Sequence, residues 1–357
     1  MFGLALTYGV KCGFFSGNVQ KISEDLAVLK PTIFPSVPRL YNRIYQGIQD
    51  KLKEATGIKS WLAKKAVDTK LYYLRQSGHL THWLYDKLLF NTMKGRLGGS
   101  VRVMITGSAP ISGDVLEFLK ICFCCDICEG YGMTETCAGS CLTFEGDPTV
   151  GIVGGPLQNV KIRLKDIPEM GHLHTNEIPA GEVCFWGPSI MKGYFRNPEK
   201  TAEAFTEDGW LRSGDVCCVF KNGAMKIVDR AKNIFKLSQG EYIAPEKLEN
   251  VYITASCAAQ VWVYGDSLKD HVIMFMVVEP PKIKAFAAKL GIEGEPAEIC
   301  KNMKVVQAVF EECMGLADAA KFNPLERPKQ IVLSLEPFTV ENDMLTPTMK
   351  LKRNVAK

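Results

Sequence analysis

Long uncharged apolar runs and a strong net charge are both missing from this chain. No stretch approaches the roughly 20 apolar residues that a membrane-spanning helix needs. The apolar opening Met1–Leu6 lacks the basic start and the small-residue cleavage site of a signal peptide. A formal net charge of +4 over 357 residues is too weak to indicate nucleic acid as a partner. These absences argue against a helix-spanning or nucleic-acid-binding protein and leave peripheral contact with a membrane open.

Histidine is scarce, and the cysteines fit neither a disulfide framework nor a zinc site. The five histidines are scattered and suggest no triad or metal set. An odd count of 13 cysteines indicates reduced intracellular thiols. Four of them lie within 122–128, where strand alternation would place Cys125 on the face opposite Cys122 and Cys124. No second cysteine or histidine pair stands at finger spacing, so we expect buried thiols there.

The length and composition are those of an ordinary globular protein. A chain of 357 residues is long enough for two domains. Hydrophobic residues make up 46% and charged residues 23%, which suffices for a sizeable core. No internal repeat or low-complexity tract interrupts the chain.

The N-terminal part alternates helical and strand-like patterns. Apolar residues at helical spacing predict helices over Gln20–Leu29, Arg39–Ala55, Lys59–Gln76, His82–Leu97 and Asp114–Lys120. Apolar runs without alternation predict strands over Pro31–Pro35, Val101–Thr106 and Ile121–Cys128. Strand, helix and strand in this order indicate a parallel sheet covered by helices.

Beyond about Cys137 the pattern changes twice. Short strands between Gly and Pro turns are predicted over Val160–Leu164, Gly181–Trp186, Val216–Lys221 and Ala224–Val228. From Asp229 a mixed pattern begins, with Pro245–Val251, Gln260–Tyr264, Val272–Val278 and an amphipathic helix over Ile299–Cys313. In that helix we expect the residues at helical spacing to be core, namely Ile299, Met303, Val306, Phe310 and Cys313. The fold class is therefore α/β, with a new unit beginning at Asp229.

The octapeptide Glu129–Thr136 combines several side chains that could bind a ligand. An aromatic ring (Tyr131), a hydroxyl (Thr134) and a carboxylate (Glu135) stand within five residues, next to glycines. A ring can stack on a purine, a hydroxyl can donate to a phosphate oxygen, and a carboxylate can hold Mg²⁺. Glycines let the backbone approach a ligand closely. The segment predicts a binding site for a nucleotide and Mg²⁺. The alternative is a Gly-rich turn between two strands.

Three further segments follow the octapeptide along the chain, namely Gly209–Asp215, Asp229–Lys236 and Leu345–Arg353. The ordered set resembles the adenylate-forming, AMP-dependent synthetase superfamily. The forms Phe235–Tyr242 and Thr346-Pro347-Thr348 look most like those of eukaryotic long-chain fatty acid–CoA ligases. The resemblance covers nearly the whole chain.

This resemblance implies ATP-dependent activation of a long-chain fatty acid to acyl-AMP, followed by transfer to CoA. ATP, Mg²⁺ and CoA would take part, and nucleic acid would not. It implies that residues 1–228 are the latter part of a large AMP-binding domain with a parallel sheet and a β-rich subdomain. Residues 229–357 would be a small mobile α+β cap domain hinged at Asp229. It also implies a place at the cytoplasmic face of the endoplasmic reticulum or of another organelle membrane.

One departure from the superfamily concerns the loop that wraps the β- and γ-phosphates of ATP. In the superfamily this loop is rich in Ser, Thr and Gly and ends in Pro-Lys-Gly, and the chain contains no equivalent. Lys94–Gly99 lacks the hydroxyls, and Gly-Lys-Ser/Thr does not occur. We therefore expect the chain to be the C-terminal portion of a longer protein and to be impaired as written.

By the same resemblance, the first two motifs bind the adenine and the phosphates. Gly107, Ser108 and Ala109 would border the adenine and the acyl group at the carboxyl end of a strand, unless they form a turn without a ligand. Tyr131 would stack on adenine, with a core aromatic as the alternative. Thr134 would contact phosphate and Glu135 would bind Mg²⁺, or form a solvated turn. The other residues assigned to this nucleotide site are Glu129, Gly130, Gly132 and Met133.

Three residues of the later motifs are assigned to the ribose and the reaction centre. Asp215 would accept hydrogen bonds from both ribose hydroxyls, although aspartate after Ser-Gly is also a common turn. Arg230 would contact the ribose at the domain junction. Lys350 matches the lysine that contacts the carboxylate and the α-phosphate during adenylation, where a flexible ammonium can neutralise both. Without its motif, a lysine in a basic tail would be read as solvated.

Four more residues have weaker assignments. Lys232 and Lys236 would approach the nucleotide and the interdomain linker, although surface lysines are usually just solvated. Gly240 and Glu241 would line the approach of CoA, with a tight turn as the alternative.

Two other functions fit the same residues. A ligase for aryl or shorter acids would use the same AMP motifs. A non-catalytic nucleotide- or acyl-binding module would account for the missing phosphate loop. A Pro-Lys-Gly loop in frame upstream of Met1 would favour a catalytic ligase.

Overall fold

The computed structural model describes residues 6–17, 21–346 and 350–356. The chain divides into two compact units. The first contains Met1–Gly132 and Cys141–Ile152, and the second contains Met133–Ser140 and Val153–Lys357. Asp229, the expected hinge, lies inside the second unit, and its role as a hinge stays a prediction. Pro347 and Thr348 of the C-terminal motif, and Gln20 at the predicted start of the first helix, lie outside the described residues.

Parallel strands with helices between them build the first unit. Its strands are β1 (Ile33–Ser36), β2 (Val103–Thr106) and β3 (Asp126–Met133, whose last residue belongs to the second unit). Both β1–β2 and β2–β3 pair in parallel. The next strands along the chain are β4 (Ala138–Leu142), which spans the division between the units, and β5 (Gly155–Pro156), which belongs to the second unit. The helices are α1 (Ile22–Leu29), α2 (Pro38–Glu54), α3 (Gly57–Ser77), α4 (Trp83–Tyr85), α5 (Asn91–Gly95) and α6 (Gly113–Phe123). The predicted parallel sheet covered by helices is confirmed.

Tyr41 shows how this sheet is held to its helices. The side chain is fully buried in the core beside Phe34 and Met104. Its hydroxyl lies 2.8 Å from the carbonyl oxygen of Phe34 and 3.1 Å from that of Ile105. Because a buried hydroxyl needs a hydrogen-bond partner, these contacts fix α2 against β1 and β2.

The strand predicted over Ile121–Cys128 is partly wrong. Its first residues complete α6, Cys124 adopts a left-handed conformation with φ 52°, and β3 begins at Asp126. Eight of the eleven α6 residues are buried, so the helix lacks the polar face that distinguishes a helix from a buried strand. The strand alternation expected for the cysteines therefore does not apply. Cys122, Cys125 and Cys128 are nevertheless buried, and burial raises the pKa of each thiol.

The helix predicted over His82–Leu97 is interrupted. It consists of α4, a π-helical turn over Asp86–Phe90, and α5. The Asp86 carboxylate accepts a hydrogen bond from the His82 amide at 2.8 Å and also from a buried ammonium group. A π-turn inserts a residue into the helix, and here it brings Asp86 to these donors.

That ammonium group belongs to Lys70, in the middle of α3. The side chain is 1% exposed, and its nitrogen donates to Asp86 (2.5 Å), to the Ile121 carbonyl (2.8 Å) and to the Cys124 sulfur (3.2 Å). It also lies 4.2 Å from the ring centre of Phe90. A buried charge is tolerated only when such partners replace water.

The second unit contains a sheet of four antiparallel strands. They are β6 (Lys161–Lys165), β7 (Ala180–Trp186), β8 (Leu211–Val219) and β9 (Met225–Arg230), paired in that order. Helix α7 (Pro198–Ala204) lies between β7 and β8 in sequence. The predicted β-rich segment is thus present, with β8 beginning five residues earlier than expected.

The rest of the second unit has a core of its own. A hairpin of β10 (Phe235–Lys236) and β11 (Tyr242–Ile243) precedes a sheet in which β13 (Val272–Val278) is antiparallel to β12 (Ala258–Gly265) and parallel to β14 (Gln330–Ser334). The helices are α8 (Pro245–Tyr252), α9 (Pro280–Lys289), α10 (Pro296–Ile299), α11 (Met303–Ala319) and α12 (Arg353–Ala356). Residues from 237 to 333 form one buried cluster. Within the described ranges, no helix combines the length and apolar character needed to cross a membrane.

The helix predicted over Ile299–Cys313 is two helices. Asn302 separates them, because its side chain caps α11 by accepting from the Lys304 amide at 3.0 Å. Met303, expected in the core, is 77% exposed. The buried face of α11 starts two residues later and consists of Val305, Val309, Cys313 and Ala317. The capping residue reset the helical register, which the apolar spacing did not reveal.

Replacing Asp86 tests the buried cation. Asp86→Ala leaves the Lys70 ammonium buried without its carboxylate, and we expect a loss of about 3–5 kcal/mol in the free energy of unfolding. Urea denaturation followed by circular dichroism measures it. Asp68→Ala removes an exposed aspartate from α3, the helix that carries Lys70, and should change the free energy of unfolding by less than about 0.5 kcal/mol. Equal effects of the two variants would contradict the role given to Asp86.

Candidate active site

In the first unit, the predicted adenine-binding loop follows β2. Ser108 has a φ of 72°, and a side chain built at Gly107 would lie 2.9 Å from the carbonyl oxygen of Gly130. Two backbones therefore approach closely, which glycine alone permits. The loop, including Ala109, stands at the carboxyl ends of parallel strands, where open α/β sheets bind ligands. The Thr106 hydroxyl, buried at the start of this loop, has no hydrogen-bond partner within the described residues.

Glu129, on β3, has a structural role that its motif did not predict. It is 8% exposed, and its carboxylate accepts a hydrogen bond from the Gly151 amide at 2.9 Å. Burial raises the pKa of Glu129 to about 7. Tyr131 and Gly132 continue the strand and are half-buried. The assignments of these residues to a nucleotide stay predictions.

In the second unit, Met133 leads into a single 3₁₀ turn over Thr134–Thr136. The Thr136 hydroxyl is 3.1 Å from the Met133 amide and closes the turn, which leaves Thr134 exposed. Glu135 accepts a hydrogen bond from the Tyr194 hydroxyl at 2.8 Å. Burial and this bond raise the pKa of Tyr194 to about 12. Sequence reasoning missed Tyr194, because no local pattern connects it to a carboxylate 59 residues away.

Asp215 and Arg230 face each other across β8 and β9. They are opposite in the antiparallel register, and the Arg230 Nε lies 3.5 Å from the Asp215 Oδ1. Their side chains are 13% and 33% exposed. The Ser213 hydroxyl accepts a hydrogen bond from the Asp215 amide at 3.0 Å. Gly214, between them, has a φ of 71°, a left-handed conformation that glycine adopts easily. The sheet register thus joins two motifs that are distant in sequence.

Lys350 is held by backbone pairing within the C-terminal motif. Leu345 pairs with Leu351, the Thr346 amide donates to the Lys350 carbonyl at 2.8 Å, and the Lys350 amide donates to the Thr346 hydroxyl at 3.1 Å. The Lys350 side chain is half-buried.

The charges around Lys350 come from the predicted site. Burial lowers the pKa of its ammonium, and the nearby Arg230 lowers it further. Asp215, Glu246 and Glu135 act in the opposite direction. Arg230, Asp215, Glu246 and Glu135 therefore all lie within electrostatic range of Lys350. The roles that the motifs assign to these residues stay predictions.

Asp229 is buried at the end of β9. It is 1% exposed, and its carboxylate accepts hydrogen bonds from the Arg230 amide at 2.6 Å and from the Glu246 amide at 2.9 Å. The second bond caps the N-terminus of α8. Burial and the Glu246 carboxylate raise the pKa of Asp229 to about 7.

Arg353 connects the C-terminal segment, three residues after Lys350, to α8. Its guanidinium group donates to both oxygens of Glu249, at 2.8 Å and 2.6 Å. Glu249 also accepts from the Val263 amide at 2.8 Å, and the two charged side chains are 16% and 15% exposed. The pair and the amide join α8, β12 and the C-terminal segment.

The remaining predicted residues lie on the linker and the β10–β11 hairpin. Lys232 and Lys236 are exposed, and the Lys236 ammonium lies 5.2 Å from the ring centre of Tyr242. Gly240 has a φ of 96° at the hairpin turn, followed by an exposed Glu241. The tight turn is present, and the CoA-lining role stays a prediction.

The AMP-binding enzyme family matches residues 1–195 of this chain. The chain belongs to that family. Long-chain-fatty-acid–CoA ligase 5 of Mus musculus is 43% identical over 98% of the chain, and ligase 1 of Homo sapiens is 44% identical over 98%. Peroxisomal long chain acyl-CoA synthetase 6 of Arabidopsis thaliana is 44% identical over 99%. The chain spans about half the length of these curated relatives, or 51%, 49% and 51%.

Solved structures of AMP-binding enzymes have the same fold. The A domain of carboxylic acid reductase from Segniliparus rugosus, in complex with AMP and a co-purified carboxylic acid, matches with a TM-score of 0.72 and 28% identity. The adenylation domain of the carboxylate reductase from Mycobacterium chelonae matches with a TM-score of 0.75 and 27% identity. Each match covers 96% of this chain and 47% of the other. The α/β fold class and the superfamily expected from the motifs are confirmed.

A pH dependence follows from the burial of Asp229. Its folded-state pKa of about 7 lies above the ordinary 3.8, so its contribution to stability is full below about pH 4 and is lost as pH rises to about 7. We expect the Tm to fall between about pH 5 and about pH 8, and to fall less in Asp229→Asn. Glu129 and Glu249, whose pKa values are also raised to about 7, contribute to the remaining fall. Thermal unfolding at the two pH values measures it. Asp343→Asn, at an exposed site, should keep the wild-type difference, and an unchanged difference in Asp229→Asn would refute the assignment.

Replacing Arg353 tests the ion pair that anchors the C-terminal segment near Lys350. Arg353→Ala leaves Glu249 buried without its cation and should cost about 3–5 kcal/mol of unfolding free energy. The loss should be larger at about pH 8 than at about pH 5, because a protonated Glu249 needs no cation. Urea titrations at both pH values measure it. Lys352→Ala breaks a neighbouring exposed pair with Asp343 and should cost less than about 1 kcal/mol. If Lys352→Ala and Arg353→Ala lose the same unfolding free energy, then the Arg353–Glu249 pair does not anchor this segment.

Proposed function

We propose that this chain is part of an AMP-forming long-chain fatty acid–CoA ligase. The observation that carries the proposal is the electrostatic interaction of Lys350 with Arg230, Asp215 and Glu135, each of which comes from a different motif. The identity of 43–44% to proteins named as long-chain ligases or acyl-CoA synthetases supports the substrate class.

In the proposed reaction the fatty carboxylate attacks the α-phosphorus of ATP, and the bond to pyrophosphate breaks. The product is acyl-AMP. The CoA thiol then attacks the acyl carbon, the bond to AMP breaks, and the thiol proton is released as acyl-CoA forms. Negative charge accumulates on the carboxylate and the phosphate oxygens in the first step, and fixed cations stabilise it.

Lys350 is suited to the first step. Lys350 is half-buried, and a charge interacts more strongly with its neighbours in such a place than in water. The positive charge of Arg230 is close enough to affect the Lys350 ammonium. The pKa of Lys350 is lowered from 10.5, while three carboxylates act to keep its proton on. We propose that Lys350 bridges the fatty carboxylate and the α-phosphate and that Arg230 contacts the ribose.

The residues present fit a magnesium ion that is held mainly by the substrate. Among the described residues no group of three or more His, Cys, Asp and Glu side chains could hold a metal. Mg²⁺ commonly binds one or two carboxylates together with substrate phosphates and water. Glu135 is such a carboxylate, and Tyr194 orients it. Bound there, Mg²⁺ would neutralise phosphate charge, and the Thr134 hydroxyl would contact a phosphate oxygen.

The other nucleotide contacts extend the proposal. Asp215 is positioned by Ser213 and Gly214 and offers two oxygens for two ribose hydroxyls. Tyr131 would stack on the adenine, and Gly107–Ala109 would border it. Lys232 and Lys236 would approach the nucleotide. Gly240 and Glu241 would line the path of the CoA thiol.

A mobile cap remains part of the proposal. Residues from 237 to 333 have their own core, which is what a separately moving domain needs. Lys350 must reach the carboxylate in the first step and make room for a thiol in the second. We propose that the backbone turns at Asp229, one residue before the end of β9. Peripheral contact with an organelle membrane also belongs to this proposal, since the fatty acid is a lipid.

Pyrophosphate exchange in the natural protein that contains this chain tests the function. With palmitate and Mg²⁺, exchange between ATP and labelled pyrophosphate should be robust and should fall ~10²–10³-fold in Lys350→Ala. Thioester formation from presynthesised palmitoyl-AMP should be comparatively retained. Lys352→Ala is the matched control and should leave both half-reactions near wild type, because Lys352 pairs with Asp343 at the surface.

The outcomes separate the alternatives. Exchange with benzoate but not with palmitate would favour a ligase for aryl acids. Binding of AMP without exchange for any acid would favour a non-catalytic module. If Lys350→Ala affects both half-reactions equally, or neither, then the role of Lys350 is wrong.

A further inference from the structure

Strand β8 is irregular directly before Asp215. Two successive pairs between β7 and β8 involve Arg212 and Val216, which are four residues apart on β8, but residues only two apart on β7. The sheet therefore accommodates two extra residues of β8 as a bulge over 213–215. Such bulges disrupt the pairing locally, bend the strand and can re-aim a side chain, and they are common next to active sites. The place of Asp215 thus depends on what holds this bulge.

A buried carboxylate on the neighbouring strand binds the bulge. It belongs to Glu182 of β7, which is 5% exposed, and its Oε1 accepts a hydrogen bond from the Gly214 amide at 3.1 Å. The Arg212 guanidinium donates to the same carboxylate, with its Nε 3.2 Å from each oxygen and a terminal nitrogen 2.9 Å from Oε2. A carboxylate is tolerated at such a depth because these donors replace water. Glu182 therefore connects the start of the bulge to its middle.

Gly214 is held from its other side as well. Its carbonyl oxygen accepts a hydrogen bond from the Ala231 amide at 2.8 Å, one residue beyond Arg230. With both its amide and its carbonyl group bonded, Gly214 keeps the left-handed φ of 71°, and Asp215 follows it directly. Glu182 can therefore act on Asp215 through the backbone of Gly214.

We propose that Glu182 is a positioning residue for the ribose, acting through Gly214 on Asp215. This inference rests on the proposed function, in which Asp215 accepts hydrogen bonds from both ribose hydroxyls. Hydrogen bonds weaken steeply when donor and acceptor are misaligned, so two bonds to one carboxylate require a fixed backbone beneath it. Without the Glu182 acceptor, the Gly214 peptide turns, and the Asp215 oxygens lose their alignment with the hydroxyls.

Binding of two nucleotides tests this role in the natural protein that contains the chain, without fatty acid or CoA. AMP carries both ribose hydroxyls, whereas 2′-deoxy-AMP lacks one, and isothermal titration calorimetry gives the Kd of each. We expect the wild type to prefer AMP at least about tenfold, because an analogue without the hydroxyl leaves the site's acceptor unpaired. The ratio of the two Kd values reports on the ribose contact alone, since every other part of the nucleotide is the same.

A pair of variants separates the acceptor from the space that it fills. Glu182→Met removes both carboxylate oxygens while keeping the buried volume filled, and the preference for AMP should fall to about twofold or less. Glu182→Gln restores one oxygen for the Gly214 amide, and its preference should stay within about threefold of the wild type. Glu203→Met makes the same exchange at an exposed position of α7 and should leave the preference unchanged. Thermal unfolding checks that each variant is folded.

Asp215→Ala separates this inference from the proposed function. If it removes the preference for AMP but Glu182→Met keeps it, then Glu182 does not position Asp215, and the ribose assignment stands. If the wild type has no preference, or if Asp215→Ala keeps it, then the ribose assignment and this inference both fail. Equal weakening of both nucleotides in Glu182→Met, or loss of folding in both Glu182 variants, would assign Glu182 to stability alone. An equal loss of preference in Glu182→Gln and Glu182→Met would show that the bond to Gly214 is not the cause.

Discussion

Buried charge at helix α8 holds the reacting groups of the second unit in place. Asp229 caps the start of this helix through the Glu246 amide, and Arg353 binds Glu249 one turn later. Arg230 follows the first anchor directly, and Lys350 precedes the second by three residues. The two cations proposed for adenylation therefore depend on contacts with the same helix.

These anchors are held at some cost to stability. Burial raises the pKa values of Asp229 and Glu249 to about 7, so the folded protein pays for ionising both at neutral pH. Backbone amides and the Arg353 guanidinium offset part of that cost. A rotation of the backbone at Asp229 would have to carry α8 along with the carboxylate or break the bond to Glu246. The first route keeps the Arg353–Glu249 pair intact and moves Lys350 together with α8.

The first unit uses buried charge differently. Lys70 is satisfied by a carboxylate, a carbonyl, a sulfur and a ring, and nothing connects it with the proposed chemistry. Its effect is to fix α3 on the core from one side. The same helix exposes Trp61 and Tyr72 on its other side.

The sequence by itself determined the family, the α/β class and the identity of the main charged residues, because motif order and apolar periodicity are local properties. It placed most helices and strands, yet it extended a strand into the buried end of α6 and put Met303 in the core. Both errors arose where a capping residue or complete burial removed the usual periodic signal. Tertiary structure decided which distant residues meet: Tyr194 with Glu135, Asp215 with Arg230, and Arg353 with Glu249. Those partners are chosen by sheet register and by the need of buried charges for counter-charges, which no short stretch of sequence contains.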